Sequence, residues 1–154
     1  PRASSPAKRL EAIRRLAGEG IPVTVLVAPV IPAINDAEIE DILGEAQRAG
    51  AREAGYVLLR LPHELKELVR DWLGEHVPGK LQHVLSLLRE ARGGKDYDAA
   101  FGTRQTGVGP YAWMIGRRFE TAAARLGLNR ERTELRTDLF TPPDRRAPGQ
   151  LSLF

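Results

Sequence analysis

Apolar residues follow two different patterns along this chain. Residues 22–28 and 53–60 form short, nearly continuous apolar runs, which predict strands buried on both faces. Around these runs, apolar residues recur every three or four positions, which predicts amphipathic helices that begin near residues 6, 35, 62, 78 and 111. Each strand is followed by a helix. This order is typical of an α/β fold with a parallel sheet.

The turns that follow the two strands are the first candidates for function. In parallel α/β folds, the loops at the carboxyl ends of the strands build the ligand site. The first turn contains Pro29 and Pro32, and prolines lack the donor that a central strand needs, so we expect the first strand to end at Ala28. Asn35 is predicted to cap the next helix through its side chain, with Glu38 as the reciprocal partner.

Size and composition restrict the class of protein. The chain has 154 residues, of which 42% are apolar, and it contains no signal-peptide pattern and no apolar run that could span a bilayer, so we expect a cytoplasmic protein. Cysteine is absent, which excludes thiolate metal sites, and the three histidines lack ligand spacing, so no metal site is expected in this chain. The formal net charge of +3 is compatible with a polyanionic partner.

Domain organisation is predicted from shifts in composition. Residues 1–76 carry both strands, residues 77–140 form a helical extension with a glycine-rich segment, and residues 141–154 form a flexible tail. Two strands alone cannot close a barrel or make a wide sheet. Because the chain also begins with Pro1 and has its single methionine at position 114, we expect it to be part of a longer protein.

Three blocks of the sequence carry a family resemblance. Residues 29–36 read PVIPAIND, residues 55–62 read GYVLLRLP, and residues 93–104 contain GGKDYD followed by FGTR. Together they resemble the C-terminal half of a radical S-adenosylmethionine protein from the bacterial group related to spore photoproduct lyase. The resemblance implies that the two strands are the fifth and sixth of a partial (β/α) barrel. Relatives usually have glycine where this chain has Ala33, which costs stability if that position needs a positive φ.

The same resemblance implies cofactors and a role. Such enzymes bind a 4Fe-4S cluster through a C-x3-C-x2-C loop, and the cluster binds S-adenosylmethionine. The required cysteines are absent here, so this chain alone is expected to bind no cluster and to be inactive. The kinship implies action on nucleic acid or a role in DNA repair. A competing hypothesis is an unrelated α/β half-domain with a small-molecule pocket.

Cofactor and catalytic residues are predicted around the two turns. The resemblance implies that the turn after the first strand contacts adenosine, while the alternative is a proline-stiffened turn with Asn35 as helix cap. Arg60 lies at the end of an apolar strand, where an arginine is costly to bury unless it is paired, so we expect it to be functional or paired with a partner. It is the predicted catalytic residue. Tyr56 is predicted on the same strand face four residues earlier, and a core role is the alternative. The predicted cofactor-binding residues are Pro29, Val30, Ile31, Asn35 and Tyr56.

Substrate contacts are predicted in and beside the glycine-rich segment. Basic and aromatic side chains between glycines suit a phosphate backbone or a nucleobase, and a solvated loop is the alternative. The residues in question are Lys95, Tyr97, Arg104 and Tyr111.

The chain ends on a short apolar motif. Its last five residues match the pentapeptide by which bacterial replication and repair proteins dock on the DNA sliding clamp, and an apolar anchor on a flexible tether suits a hydrophobic groove. The alternative is a terminal segment that packs back on its own domain. The predicted clamp-binding residues are Gln150, Leu151, Leu153 and Phe154. Clamp docking by an interaction module is therefore the second functional hypothesis.

Overall fold

The computed structural model describes residues 3–97, 99–131, 134, 137–138 and 140–142. Over these residues the chain is a mixed α/β protein with five α-helices and one two-stranded parallel sheet, which confirms the predicted fold class at that level. The elements are α1 (Pro6–Gly18), β1 (Thr24–Val30), α2 (Ile39–Arg48), β2 (Glu53–Leu58), α3 (Leu65–His76), α4 (Leu81–Glu90) and α5 (Gly109–Leu126). None of the helices described is both long enough and apolar enough to cross a bilayer.

Strand β1 is longer than predicted. It continues through Pro29 to Val30, because the pairing register shifts between Val27 and Val30. Val27 lies opposite Tyr56 and Val30 opposite Leu58, so β1 has one residue more than β2 over this interval. A β-bulge of this kind leaves a residue outside the ladder, and a proline is tolerated there. The expected strand end at Ala28 is therefore wrong.

Only one face of the sheet is covered by the described residues. Val27, Val30 and Leu58 are buried against α2 and α5, whereas Leu26 on the opposite face is 59% exposed and Ala28 is exposed as well. The prediction of strands buried on both faces is wrong for this part of the protein. Parallel sheets normally have both faces covered, so this surface of the sheet is unusual.

The two edges of the sheet also differ. On the side of β2 that faces away from β1, the Asn129 side-chain amide accepts a hydrogen bond from Ala54 N (2.8 Å) and donates one to Ala54 O (3.0 Å). Further along the same edge, Leu58 N donates to Gln105 O at 2.8 Å. Non-strand groups thus block further pairing at this edge. The outer edge of β1, by contrast, has no strand partner among the residues described.

Two apolar clusters make up the core. The first lies between the sheet, α2 and α5, and contains Ile39, Leu43, Leu58, Ile115 and Phe119 among others. The second lies beyond the carboxyl ends of the strands, where α3 and α4 pack on the turn after β1, and contains Leu61, Leu73, Val84 and Leu88. The second cluster joins helices on both sides of the predicted boundary at residue 76. It brings the turn after β1 and the end of β2 onto one support.

Candidate functional site

The turn after β1 is held by the side chain of Asn35. Ile31 N donates to Asn35 Oδ1 at 2.7 Å, and Asn35 Nδ2 donates to Pro29 O at 3.0 Å. The predicted helix cap is wrong, because the Asn35 side chain makes no capping bond and α2 begins only at Ile39, after a short 3-10 turn. Val30 is 1% exposed, so its side chain belongs to the core. Asn35 therefore fixes the shape of the turn.

Ala33 in this turn has a left-handed conformation, with φ at 57°, so the condition for a stability cost at this position is met. A Cβ atom costs about 1–2 kcal/mol in this region, part of which is offset by the greater freedom of glycine in the unfolded chain. We expect Ala33→Gly to raise the free energy of unfolding by about 0.5–1 kcal/mol in urea titrations. The control is Ala37→Gly in the exposed 3-10 turn, which should lower it. A loss of stability in Ala33→Gly would contradict the strain argument.

Arg60 lies two residues beyond β2, not on the strand as predicted, and it contacts the glycine-rich segment. Its Nη2 donates to the Tyr97 hydroxyl at 2.8 Å, and its guanidinium carbon is 5.6 Å from the centroid of the Tyr97 ring. Its Nε is buried without a hydrogen-bond partner in the described residues. Within those residues no carboxylate pairs with Arg60. A phenol does not neutralise a guanidinium, so this charge is available to an anionic ligand.

The start of the glycine-rich segment is fixed by Asp96. Its carboxylate pairs with Lys66 at the start of α3 and with Arg89 near the end of α4. The hydrogen bond from Lys66, followed by the one from Arg89, lowers the pKa of Asp96 from 3.8 to about 2. Tyr97, the partner of Arg60, is the next residue. The segment is thus held by ion pairs to α3 and α4, the two helices that pack beyond the carboxyl ends of the strands.

The lowered pKa of Asp96 predicts a pH dependence. The carboxylate is favoured in the folded state, so its contribution to stability is present above pH 3.8 and is lost as the pH falls through about 2. Asp96→Asn removes this contribution. The difference in urea midpoint between the wild type and Asp96→Asn should be largest near neutral pH and should shrink as the pH falls from about 4 towards 2. A difference that is constant over this range would contradict the proposed ion pairs.

Sequence reasoning missed Arg92, which is only 4% exposed. Its guanidinium joins the end of β2 to the loop before α5. Nη2 donates to the carbonyl oxygens of Leu58 (3.4 Å) and Leu59 (3.1 Å), and Nη1 to those of Thr103 (3.3 Å) and Arg104 (3.0 Å). In the sequence, Arg92 stands at the end of an amphipathic helix before two glycines, where an arginine normally faces solvent. No local signal distinguishes it.

Phe101 was also missed. It is 90% exposed, and the Arg104 guanidinium lies against its ring at 5.4 Å from the centroid. Of the predicted substrate residues in the same segment, Lys95 is exposed and Arg104 is half-buried. Its exposure distinguishes Phe101 from Phe119, which lies in the core, and the sequence cannot make this distinction because the residue type is the same.

Two of the predicted aromatic site residues have structural contacts. The Tyr111 hydroxyl donates to Asp36 Oδ2 at 2.8 Å, which ties α5 to the turn after β1, and burial together with this carboxylate raises the pKa of Tyr111. Tyr56 packs on the first cluster with its ring 4.9 Å from that of Phe119, and burial raises the pKa of Tyr56. The structure therefore brings Arg60, Tyr97 and the Phe101–Arg104 pair to the end of β2, while Tyr111 bonds elsewhere.

The predicted clamp-binding residues Gln150, Leu151, Leu153 and Phe154 lie outside the described residues, and so does most of the predicted tether. No group of three histidine, cysteine, aspartate or glutamate side chains that could hold a metal occurs in the part that is described. Comparisons of the chain with protein-family models, with curated proteins and with solved structures gave no match, so the radical S-adenosylmethionine resemblance stays a prediction.

Proposed function

We propose that this chain supplies the last two strand–helix units, and the substrate side, of a radical S-adenosylmethionine enzyme that acts on nucleic acid. The observation that carries the proposal is the asymmetry of the sheet. Asn129 and Gln105 block the outer edge of β2, while the outer edge of β1 and the face that bears Leu26 are open among the described residues. Parallel sheets normally have more strands than two and are covered on both faces. In the proposal, β2 is the final strand and a further strand pairs with β1.

Of the two cofactors of such an enzyme, this chain could contact S-adenosylmethionine but could not bind the 4Fe-4S cluster by itself. The chain has no cysteine, so it cannot supply the ligands of a 4Fe-4S cluster, and those ligands would have to come from another segment. The turn after β1 suits S-adenosylmethionine better, because it offers half-buried apolar side chains, Ile31 and Ala33, in a shape fixed by Asn35. Such a surface would pack against the adenosine portion of the cofactor and would hold it in place.

The charges at the end of β2 support an anionic substrate. Arg60 has a phenol as its partner, and Lys95 is an exposed cation in the same glycine-rich segment. Guanidinium and ammonium groups beside aromatic rings are the usual contacts for phosphates and bases. In parallel α/β folds this end of the sheet is also the usual place for a ligand. In the proposal, Arg60 contacts the anionic group of the substrate that lies nearest to the cofactor.

The test of the family assignment is the coding sequence that precedes the codon for Pro1. The proposal expects a C-x3-C-x2-C segment there. A protein that spans both parts should show oxygen-sensitive iron–sulfide absorption after anaerobic reconstitution with iron and sulfide, while this chain alone should show none. A spanning protein without that absorption would overturn the radical-enzyme proposal.

Arg60 provides a second test in that spanning protein. Arg60→Leu should abolish activity and leave the melting temperature nearly unchanged, because the only hydrogen bond lost among the described residues is the one to the Tyr97 hydroxyl. Arg89→Leu is a matched control, since that arginine pairs with Asp96 instead. Unfolding of the Arg60→Leu variant would show that the residue has a structural role and would remove it from the site.

Clamp docking remains the second hypothesis and rests on the sequence of the last five residues. Two leucines and a phenylalanine could contribute about 1.5–3 kcal/mol each before ordering costs, which corresponds to micromolar affinity. A synthetic peptide that ends in Phe154 should bind the sliding clamp in fluorescence anisotropy. Binding should vanish when Leu153 and Phe154 are replaced by alanine, and equal binding by both peptides would refute the hypothesis.

A further inference from the structure

Phe101 is the most exposed large apolar side chain of those described. It lies in a short turn before α5, and Arg104 N donates to Ala100 O at 3.0 Å across that turn. The Arg104 guanidinium covers one face of the ring at 5.4 Å from its centroid, and the 90% exposure leaves the rest of the ring open. An arginine on one face of a phenyl ring leaves the other face free for a second flat group.

The turn that presents this ring is firmly attached to the sheet. Arg92 binds the carbonyl oxygens of Thr103 and Arg104, and Leu58 N at the end of β2 donates to Gln105 O. The exposed ring is therefore carried by backbone that is fixed at three consecutive residues. Pre-organised groups lose less conformational entropy when a ligand binds, which favours a recognition role over that of a loose loop.

The same region carries charge for a phosphate chain. Among the described residues in and beside this segment, cations outnumber carboxylates. The cations are Arg60, Lys66, Arg89, Arg92, Lys95 and Arg104, and the carboxylates are Glu90 and Asp96. Lys66 and Arg89 share Asp96, and Arg92 binds backbone carbonyl oxygens, while Arg60, Lys95 and Arg104 have no carboxylate partner among the residues described. An exposed aromatic ring beside several cations is the arrangement that binds single-stranded nucleic acid.

We propose that Phe101, backed by Arg104, is a stacking platform for an unpaired base, so that the chain binds single-stranded nucleic acid in preference to duplex. This inference rests on the nucleic-acid part of the proposed function and specifies the form of the substrate. In a duplex the faces of the bases are stacked on their neighbours and cannot reach a phenyl ring without unstacking. Phosphates would be bound by Lys95 and Arg104, and they would contribute the salt-dependent part of the affinity.

The experiment uses the 154-residue chain and fluorescein-labelled DNA of about 12 nucleotides, single-stranded or duplex, in fluorescence anisotropy. The single strand should bind more tightly than the duplex. Phe101→Ala should weaken binding of the single strand about tenfold, with little effect on the duplex, and Phe101→Tyr should bind like the wild type. Trp113→Ala is the matched control, because Trp113 is also an exposed aromatic residue (69%) but lies on α5, and it should change neither affinity.

Charge substitutions separate the phosphate contacts from the stacking. Lys95→Gln should reduce the slope of log affinity against log salt by about one and leave the preference for single strands intact. Phe101→Ala should leave that slope unchanged and remove the preference for single strands. A variant that lost both properties together would not support separate roles for the ring and the charges.

The possible failures have different meanings. Equal binding of single strand and duplex, with Phe101→Ala unchanged, would overturn the stacking platform and leave nucleic-acid binding in place. No binding of either DNA would overturn the nucleic-acid part of the proposed function as well. Equally tight competition by polyglutamate would show a general polyanion surface and would also overturn the platform.

Discussion

Replacing Arg92 by leucine should lower the free energy of unfolding by about 3–5 kcal/mol. The arginine is 4% exposed, and its guanidinium donates to four carbonyl oxygens, on Leu58, Leu59, Thr103 and Arg104. Leucine would fill part of the space and would remove the guanidinium donors from these acceptors, of which Thr103 O would keep its hydrogen bond from Gly107 N. Buried carbonyl groups without partners carry a large desolvation penalty, so the cost should exceed that of an ordinary surface substitution.

The measurement is urea denaturation followed by circular dichroism. Arg92→Lys should fall between the wild type and Arg92→Leu, because an ammonium can reach some of these carbonyls but lacks the planar geometry that serves both sides. Arg89→Leu, three residues earlier and half-exposed, should cost less than about 1 kcal/mol. If Arg92→Leu cost no more than Arg89→Leu, the bracing role of Arg92 would be refuted.

The second large effect is expected at Gly107, which ends the turn that carries Phe101. Its φ is +82°, and a Cβ atom there would lie 2.9 Å from Ala91 O and 3.1 Å from both the Ala112 Cβ and the Leu58 Cδ1. Gly107→Ala combines left-handed strain of about 1–2 kcal/mol with overpacking of about 1–3 kcal/mol. We expect a loss of about 3 kcal/mol in unfolding free energy, because a backbone oxygen cannot move aside cheaply.

Gly102 offers the matched control for that substitution. It lies in the same segment with φ at +95°, but apart from its chain neighbours no atom of the described residues lies within 4 Å of the position a Cβ would take. Gly102→Ala should therefore lower the free energy of unfolding only by the cost of the left-handed backbone conformation, about 1–2 kcal/mol. Equal losses in the two variants would mean that the close packing around Gly107 contributes nothing.

Several features were predictable from the sequence because local patterns determine them. The continuous apolar runs predicted both strands, and the apolar spacing predicted the helices. Both signals are local, because the side chains that form a buried face recur at a fixed spacing along the sequence. The Ser5–Pro6 pair is a local signature of a helix start, and the Ser5 side chain accepts a hydrogen bond from Lys8 N at the start of α1.

Local patterns selected residues near the site but did not predict their hydrogen-bond partners. Arg60 was selected because an arginine next to an apolar strand needs a partner, yet its partner proved to be Tyr97, 37 residues away. Asn35 was assigned to the helix that follows it, because a cap is its most frequent local use, but its amide instead closes the turn that precedes it. Side-chain amides can bond in either direction, and the fold of the turn decides which.

The sequence by itself thus determined the order of strands and helices and the end of the sheet where function is expected. The tertiary structure alone decided that Arg92 is buried, that Phe101 is exposed, and that Asn129 closes one edge of the sheet. The physical reason is that apolar periodicity is written in neighbouring residues. The burial of a charge or the exposure of a ring depends on the groups that distant segments bring to it, such as the four carbonyl oxygens that meet the Arg92 guanidinium.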